Sequence, residues 1–408
     1  MNFLSEEHFL EHFEKRKSKT FTEFMKTAKV KTSKHLISLQ EYIKDKDVSK
    51  ENLKLLFENI QDREAYLKRF YHLSLRVEPT RFSMSSLKPM KNKHMNNNAE
   101  TTYKNIIRNM HWKDILKNTK SGIDNVPTYM DVLEDLYLND IIDYKIVTPS
   151  SLHYMKEGRL GSVFSSYYFR ASIMNPYLVY SLNQSVLKGT KIFTPTLGWC
   201  SYLGFLEDPD VIEYVGTDVI PGVCAKTSKF AKTYYKGKSV DIFCEPSENL
   251  LLNKTFMRKY QEHFDVVFFS PPYYELEKYP GKDQSIVKYK TYEEWLEKYW
   301  EATIRLCHYV LQKGGRLCYI LSGYGQGASP PTTNLIDDRR SSDKFGQGSK
   351  SPTANRSKNT KDQYDLLTDM NKITRQYFKL LSVQPMYNKD VHVTEHKETN
   401  EKIMVFIK

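Results

Sequence analysis

The chain has 408 residues, and its 61 Lys and Arg outnumber its 49 Asp and Glu to give a formal net charge of +12 at pH 7. This length exceeds the roughly 250–300 residues at which one hydrophobic core stops growing, so it predicts two or three structural units. A basic balance favours an anionic partner, with nucleic acid before a membrane surface. The 5 cysteines form no C-x-x-C pair and the histidines do not cluster, which argues against a zinc site and for free thiols in a reducing compartment.

Segments that would direct or anchor the chain in a membrane are not evident. The first residues, MNFLSEEHFLEHFEKRK, lack the apolar core of a signal peptide, and no run of 18 apolar residues occurs. We therefore expect an intracellular, soluble protein, cytoplasmic or nucleoid-associated, with no membrane partner.

Residues 1–150 are predicted to form a helical accessory region. Their apolar residues recur three and four apart in five segments, which is the spacing of an amphipathic helix. A basic, Asn-rich stretch lacks this period and predicts a linker near 79–100. The five helical segments are 21–30, 35–44, 51–73, 101–117 and 127–144.

From Tyr167 onward, strand and helix patterns alternate, which predicts a parallel α/β sheet within a second unit, residues 151–408. The pair Gly314 and Gly315 is expected to end a long helix that precedes the fifth strand. The predicted strands are 191–194, 212–217, 239–243, 264–269 and 316–321, and the predicted helices are 176–187, 220–234, 249–260, 291–312 and 364–378.

The last part of the chain combines a polar insertion with a strand pair. Residues 324–363 are rich in Gly, Ser, Pro and charge, so they are predicted to form a flexible insertion. Its basic residues outnumber its acids, so it either binds nucleic acid or is a passive solvated segment. Two strands, 381–394 and 402–407, follow and are predicted to pair antiparallel across the polar turn EHKETNE.

Polar and turn residues follow the first two predicted strands of the sheet. Thr194, Pro195 and Gly198 lie at the end of the first strand, and Asp218 ends the second. An acid about 20 residues beyond a glycine turn, at the end of the next strand, typically accepts hydrogen bonds from the ribose of a nucleoside cofactor. The alternative is an ordinary strand-to-helix turn.

The fourth strand ends in S-P-P-Y, Ser270 to Tyr273. This motif resembles the (D/N/S)-P-P-(Y/F/W) motif of S-adenosylmethionine-dependent DNA amino-methyltransferases, and the segment from Gly281 to Gly315 is also similar to that family. The resemblance covers about residues 167–323 and the terminal hairpin. It implies S-adenosylmethionine as cofactor and an α/β, Rossmann-like class I methyltransferase fold, a seven-stranded mixed sheet with an antiparallel terminal hairpin.

The resemblance also implies roles for the motif. An exocyclic base amine is a weak nucleophile because its lone pair is delocalised into the ring. The Ser270 hydroxyl and the Pro271 carbonyl would accept hydrogen bonds from the two amine N–H groups and favour rehybridisation. Pro271 and Pro272 fix the direction of that carbonyl because their φ angles are locked. Tyr273 would stack on a base that has left its duplex.

Further cofactor contacts are implied by the same resemblance. Asn175 lies in the segment before the first strand, which closes over the methionine end of the cofactor, and Val219 neighbours Asp218. Glu245 or Ser247, after the third strand, would meet the adenine ring. Each could equally cap an element, and Ser247 in particular suits an N-cap.

Two positions depart from the family pattern. Thr194 stands where the family has an acid that holds the amino end of the cofactor, and Cys200 replaces a glycine. These departures keep open a third interpretation, a degenerate methyltransferase fold that serves as a nucleic-acid-binding subunit.

Methylation of DNA at cytosine N4 or adenine N6 is the leading hypothesis, and the serine of the motif favours cytosine. Methylation of an RNA adenine is the alternative. Only about 50 residues separate Asp218 from Ser270, which leaves no room for a large target-recognition domain. Target recognition is therefore expected from the N-terminal helices, from residues 324–363 or from a partner subunit.

Overall fold

The structure is a computed structural model of the whole chain. Cys200 and residues 324–363, which the sequence analysis singled out, lie outside the residues that it describes. No helix among the described residues is long and apolar enough to cross a membrane. The described residues are 3–14, 19–44, 46, 48–78, 82–123, 125–199, 201–322, 364–389 and 396–408.

Helices dominate the first half of the chain and alternate with strands in the second. In chain order the α-helices are α1 (Glu6–Glu11), α2 (Phe21–Thr27), α3 (Leu39–Ile43), α4 (Lys50–Gln61), α5 (Arg63–Ser74), α6 (Thr102–Met110), α7 (Tyr129–Leu138), α8 (Pro149–Lys156), α9 (Leu160–Tyr167), α10 (Pro176–Leu182), α11 (Ser201–Glu207), α12 (Pro221–Tyr234), α13 (Lys254–Tyr260), α14 (Ser285–Lys288), α15 (Tyr292–Trp295), α16 (Ala302–Val310) and α17 (Leu366–Thr374). Short 3₁₀ or π segments are Met84–Ser86, Asp114–Asn118, Tyr144–Val147, Asn183–Leu187, Ser247–Leu252 and Leu296–Glu301.

The strands form one large sheet and two small ones. They are β1 (Lys29–Lys31), β2 (Leu36–Ser38), β3 (Lys120–Ser121), β4 (Ile141–Asp143), β5 (Lys191–Thr194), β6 (Glu213–Thr217), β7 (Ser239–Phe243), β8 (Phe264–Phe269), β9 (Glu277–Lys278), β10 (Leu311–Ser322), β11 (Lys379–Lys389) and β12 (His396–Ile407).

The large sheet has seven strands in the order β11-β12-β10-β8-β5-β6-β7. All pairs from β10 to β7 are parallel, whereas β12 runs antiparallel between β10 and β11. The chain adds β6 and β7 on one side of β5 and then crosses to β8 and β10 on the other. This order, with its antiparallel terminal hairpin, is the Rossmann-like class I methyltransferase fold that the sequence predicted. Its topological switch point, where such sheets bind ligands, lies between β5 and β8.

Strand β8 shows why the sheet is buried on both faces. Its sequence FDVVFF is almost continuously apolar, as is usual for a central parallel strand. Val266 and Phe268 pack into one hydrophobic cluster, whereas Val267 and Phe269 pack into another on the opposite face. Because side chains alternate along a strand, one short segment supports both layers.

The structure corrects the end of the predicted helix 291–312. The helix ends at Val310, and Leu311 already begins β10, so both glycines lie within the strand. Gly314 has φ 78°, and the pairing of β10 with β8 shifts register between Leu311 and Arg316. A glycine with positive φ forms a β-bulge at no steric cost, so the glycines bend the strand instead of stopping the helix.

The structure also corrects the terminal hairpin. His396 to Glu401 belong to β12, although the sequence analysis assigned them to a polar turn. They pair with β11, for example Tyr387 with Glu398, so they are strand residues near the end of the hairpin and not turn residues. Residues 390–395, which include the end of the predicted strand 381–394, lie outside the described residues.

Three segments predicted to be helical, 21–30, 35–44 and 127–144, contain the strands β1, β2 and β4. Strands β1 and β2 form an antiparallel hairpin, and β1 also pairs parallel with β4. Val30 is fully buried between exposed Lys29 and Lys31. This alternation has a period of two, which a segment of three residues is too short to reveal from the sequence.

The predicted linker near 79–100 is not an exposed connection. Met95, Asn96 and Asn97 are buried, and the backbone N–H of Asn97 donates to the Tyr387 carbonyl of β11 at 2.8 Å. More broadly, apolar residues of the first 150 share one hydrophobic cluster with α10, α11, α12 and one face of the sheet. The boundary at residue 150 stays a prediction.

Candidate active site

A cavity opens at the carboxyl ends of β5, β6, β7 and β8. Open α/β sheets bind their ligands in the crevice at this edge. Its lining comes from the four strand ends, from the segment before α10, from the loop after β8 and from β12. The lining residues are Asn97, Ser172, Met174, Pro195, Thr196, Gly198, Trp199, Asp218, Val219, Ile220, Glu245, Pro246, Ser247, Glu248, Ser270, Pro271, Pro272, Tyr273, Glu277, Tyr279, Asp283, Gln284, Ser285, Tyr299 and Glu401.

The loop after β5 folds over the end of β6. Gly198 has φ 52°, a left-handed conformation that glycine adopts without strain. The Gly198 N–H donates to Asp218 Oδ2 at 2.8 Å, and the Leu197 N–H donates to the Thr217 carbonyl at 2.9 Å. The glycine and the acid that the sequence paired by their spacing are therefore joined by a hydrogen bond.

Asp218 is 7% exposed, and its two oxygens accept from different N–H groups. Oδ2 accepts from Gly198 and Oδ1 accepts from Ile220 at 2.9 Å. Burial raises the pKa of this carboxyl, and the backbone N–H groups oppose that rise. A carboxylate oxygen can accept more than one hydrogen bond. Asp218 can therefore also accept a hydrogen bond from a hydroxyl group of a ligand in the cavity.

The end of β7 contributes Glu245 and Ser247. Glu245 Oε1 accepts from Asn253 Nδ2 at 3.1 Å. The hydroxyls of Ser247 and Thr303 lie 3.0 Å apart. Ser247 is the first residue of a 3₁₀ segment and makes no capping hydrogen bond, so its expected N-cap role is wrong. Its hydroxyl joins the segment to α16 instead.

The SPPY motif lies at the end of β8, and its four residues all line the cavity. In the described part of the chain, the Ser270 hydroxyl forms no hydrogen bond and remains available to a ligand. The chain turns after the motif, where Leu276 N–H donates to the Tyr273 carbonyl at 2.9 Å. Tyr274 has φ 42° and packs its ring against Tyr292 and Trp295. This buried aromatic contact fixes the turn to α15.

Tyr273 is held by a hydrogen bond as well as by the turn. Its hydroxyl donates to Glu401 Oε1 at 3.2 Å, which links the motif to β12. Burial, followed by the nearby Glu401 carboxyl, raises the pKa of Tyr273 well above its usual range. The phenol is therefore neutral, and it remains a hydrogen-bond donor at physiological pH.

Two aromatic side chains form another part of the wall. The rings of Trp199 and Tyr279 lie 6.3 Å apart at a tilted angle, and both line the cavity. Trp199 also lies 5.9 Å from the ring of His111, which is buried. Burial lowers the pKa of His111 to about 3, so this imidazole is neutral and serves the packing of the wall.

The cavity brings together ten of the twelve site residues proposed from the sequence and leaves out Asn175 and Thr194. The Asn175 side chain caps α10 by accepting from the Tyr177 N–H at 3.0 Å, and its Nδ2 donates to the Asn97 carbonyl at 3.1 Å. Thr194 is the last residue of β5 and is fully buried. The ten are Pro195, Gly198, Asp218, Val219, Glu245, Ser247, Ser270, Pro271, Pro272 and Tyr273.

Sequence reasoning missed the polar lining that lies far from the strand ends. Asn97 was assigned to a linker and Glu401 to a turn, whereas Ser172 lies in the segment before the first strand that was proposed to contact the cofactor, although the residue itself was not singled out. Glu277 and Tyr279 follow the motif closely, and their positions in YYELEKYPG were the available signal. The fold brings these five residues to one cavity from four parts of the chain.

No protein-family model and no curated protein sequence matches this chain. Among solved structures, TrmN from Thermus thermophilus is 12% identical, with a TM-score of 0.33, over 57% of this chain and 48% of that one. The N-methyltransferase NodS from Bradyrhizobium japonicum is 11% identical, with a TM-score of 0.29, over 57% and 91%. A Burkholderia thailandensis 1,6-didemethyltoxoflavin-N1-methyltransferase, with S-adenosylhomocysteine bound, is 11% identical, with a TM-score of 0.32, over 56% and 76%.

Identities and TM-scores this low carry no argument about substrate or mechanism. The assignment of the fold rests on the strand order of this chain, and the assignment of the site rests on its lining.

Proposed function

We propose that this chain transfers a methyl group from S-adenosylmethionine to an exocyclic amine of a DNA base, at N4 of cytosine or N6 of adenine. The observation that carries the proposal is that the SPPY turn and the Gly198–Asp218 loop line one cavity at the switch point of a methyltransferase-type sheet. The two loops are the parts that a methyl transfer to an amine needs, one for the cofactor and one for the acceptor.

The residues around Asp218 fit S-adenosylmethionine. The carboxylate lines the cavity and can accept a hydrogen bond from a ribose hydroxyl, and Gly198 offers an open turn, since a Cβ built on it would meet no atom within 4 Å. Val219, Glu245 and Ser247 lie next along the lining, on the side where the adenine would be held. When bound, the cofactor supplies an electrophilic methyl group on a positively charged sulfur.

The residues of the SPPY turn would activate the amine. The unengaged Ser270 hydroxyl and the Pro271 carbonyl would accept from its two N–H groups, which frees the nitrogen lone pair. The new N–C bond would form as the bond between the cofactor sulfur and the methyl group breaks, and the methylated amine would then lose one proton to solvent. Both acceptors are held before the reaction, because Pro271 and Pro272 lock the backbone and Tyr274 anchors the turn. No reorganisation is then required as charge develops on the amine.

DNA as the acceptor is supported by the basic character of the chain and by the form of the cavity. A net charge of +12 favours binding to phosphates, which remain outside while one base enters. Tyr273, Trp199 and Tyr279 supply aromatic surfaces of the kind on which an extruded base stacks. The same chemistry would serve an adenine in RNA, which is the second candidate.

Substitution Ser270→Ala tests the proposed role of the motif. Removing one acceptor from the reacting amine should raise the barrier on the order of 2 to 4 kcal/mol, which lowers the rate of methyl transfer about 30- to 800-fold. The affinity for S-adenosylmethionine should stay unchanged, because Ser270 is not among the residues assigned to the cofactor. The rate is measured with tritium-labelled cofactor and DNA, and the affinity by titration calorimetry.

Ser239→Ala, an exposed position at the start of β7, is the matched control and should transfer methyl at the wild-type rate. A Ser270→Ala variant as fast as the wild type would refute the assigned role. A wild-type protein that binds S-adenosylmethionine but methylates no base would instead favour the degenerate interpretation.

A further inference from the structure

Two glutamates line the cavity beside the SPPY turn, and neither is used by the proposed chemistry. Glu277 lies on β9, a short turn beyond Tyr273 of the motif, and Glu401 lies on β12. Glu277 is 4% exposed, whereas Glu401 is partly buried. Acidic groups are unexpected where a nucleotide would bind, so their presence at this position calls for a specific role.

Glu277 is oriented by two donors. Its Oε1 accepts from the Ser172 N–H at 3.2 Å, and its Oε2 accepts from the Tyr279 hydroxyl at 2.7 Å. Ser172 belongs to the segment before α10 and Tyr279 to the loop after β9. In the described part of the chain, no Lys, Arg or His forms an ion pair with Glu277. This carboxyl is therefore fixed in direction, and nothing in that part of the chain pairs it with a cation.

Glu401 has different surroundings. It accepts a hydrogen bond from Tyr273, and the ammonium of buried Lys104 on α6 acts on it electrostatically. Burial raises the pKa of Glu401, and these two contacts oppose that rise. Of the two carboxyls, Glu401 is the better placed to hold a negative charge.

A buried carboxyl next to a second one is stabilised in its neutral form. Burial is the largest cause that raises the pKa of Glu277, and the nearby Glu401 raises it further. The hydrogen bonds from Tyr279 and Ser172 lower it, less strongly than burial raises it but more strongly than Glu401 does. When the environments of two neighbouring acids differ, one is ionised while the other keeps its proton and can donate it in a hydrogen bond.

We propose that Glu277, as a neutral carboxylic acid, donates a hydrogen bond to the ring nitrogen next to the target amine and so selects the base. The inference rests on the proposed function, because it concerns the base that enters beside Ser270. Cytosine N3 and adenine N1 are both acceptors adjacent to an exocyclic amine. Glu277 would recognise that ring nitrogen, while Ser270 and Pro271 bind the amine.

The same hydrogen bond would discriminate against guanine and thymine, because each would leave the O–H donor of Glu277 without an acceptor. Guanine and thymine carry an N–H at the corresponding ring position, so the acid O–H would face a second donor. A buried donor left without an acceptor costs about 1–3 kcal/mol, which excludes these bases without steric contact. The carboxyl therefore acts as a specificity residue and takes no part in bond making.

Two substitutions of Glu277 distinguish between a role as a neutral hydrogen-bond donor and a role that requires its negative charge. Glu277→Gln keeps the shape, one carbonyl acceptor and an N–H donor, so it should methylate its DNA target within about threefold of the wild type. Glu277→Ala removes the donor and should lower kcat/KM roughly 5- to 150-fold. Glu275→Ala, an exposed position on the same loop, is the matched control and should behave as the wild type.

A change of substrate tests the assigned contact itself. The methylated base and its flanking sequence are first identified with wild-type protein and a random-sequence DNA pool. That sequence is then synthesised with 3-deaza-2′-deoxycytidine or 1-deaza-2′-deoxyadenosine at the target, which replaces the ring nitrogen by C–H. On this substrate, the kcat/KM of Glu277→Ala should equal or exceed that of the wild type, because neither protein can form the hydrogen bond and only the wild type leaves a buried donor unpaired.

Thermal unfolding and S-adenosylmethionine titration of each variant show whether the alanine variant is folded. Equal activity of Glu277→Ala and wild type on natural DNA would overturn the inference. So would a Glu277→Gln variant as impaired as Glu277→Ala, since this would require the charge. An alanine effect that persists undiminished on the deaza substrate would assign Glu277 a structural role. Absence of any methylated base with the wild type would refute the proposed function first.

Discussion

Asp218 connects the local structure of the site to its proposed chemistry. Its carboxylate ties the loop after β5 to the end of β6 through Gly198, and it turns the following segment through Ile220. The same oxygens line the cavity. The residue therefore shapes the cofactor loop and, under the proposed function, also contacts the ribose.

We predict that Asp218→Ala weakens S-adenosylmethionine binding. The loss of a charge-assisted hydrogen bond costs about 1.5 to 3 kcal/mol, or roughly 10- to 150-fold in the dissociation constant. The melting temperature should also fall, because two backbone N–H groups lose their acceptor. Calorimetric titration and thermal unfolding measure the two effects.

The control for this prediction is Asp241→Ala on the neighbouring β7, whose carboxylate accepts from Lys259 and Tyr260 outside the cavity. It should bind the cofactor with wild-type affinity. If Asp218→Ala binds equally well, Asp218 is structural and the ribose contact lies elsewhere.

The site could be predicted from the sequence where its residues follow strand ends. Ser270 and Asp218 each end an apolar strand, and parallel strands bring their carboxyl ends to one edge. Asn97 and Glu401 gave no such signal, because they reach the cavity through contacts between distant parts of the chain. Thr194 was assigned by position in a motif, and it is buried and is not among the lining residues.

At the scale of elements, the packing of α10 on α11 positions the segment that precedes β5. The contact is close at Gly204, where a Cβ would lie 2.4 Å from the Pro176 carbonyl oxygen and 2.7 Å from the Tyr180 nitrogen. Both atoms belong to the backbone of α10, so neither can move aside as a flexible side chain would.

Gly204→Ala should therefore force the two helices apart and destabilise the fold by about 1–3 kcal/mol. Gly222→Ala on α12 is the matched control, since a Cβ there would meet no atom within 4 Å. Its stability should change by less than about 0.5 kcal/mol or rise slightly, because alanine favours helix. Urea unfolding measures the free energy of unfolding of both variants. An unchanged urea midpoint for Gly204→Ala would contradict the close contact between the two helices.

The elements of the central sheet were largely predictable, whereas the exceptions have local causes. Strands β5 and β8 have the predicted bounds, because central parallel strands are buried on both faces and carry short apolar runs. The helix end predicted at Gly314 and Gly315 was wrong, because glycine occurs both at helix ends and in β-bulges. Only the pairing of β10 with β8 distinguishes a helix end from a bulge at this position. Strands of three residues in the first unit are too short to show a period.

For the molecule as a whole, the N-terminal residues cover one face of the methyltransferase-type sheet. Phe9, Phe70 and Met95 belong to the same hydrophobic cluster as Val266 and Phe268 of β8. Asn97 extends this contact into the cavity. The sequence predicted helices here but not their packing, because hydrophobic periodicity identifies the buried face of a helix without identifying its partner.

The central claim is that the chain methylates an exocyclic amine of a base in DNA. The most direct measurement is mass spectrometry of nucleosides after incubation of the full chain with trideuteromethyl S-adenosylmethionine and random-sequence DNA, with RNA in a parallel reaction. The account predicts labelled N4-methyl-2′-deoxycytidine or N6-methyl-2′-deoxyadenosine from the DNA. Label found only in RNA nucleosides, or in no nucleoside of either reaction, would contradict it.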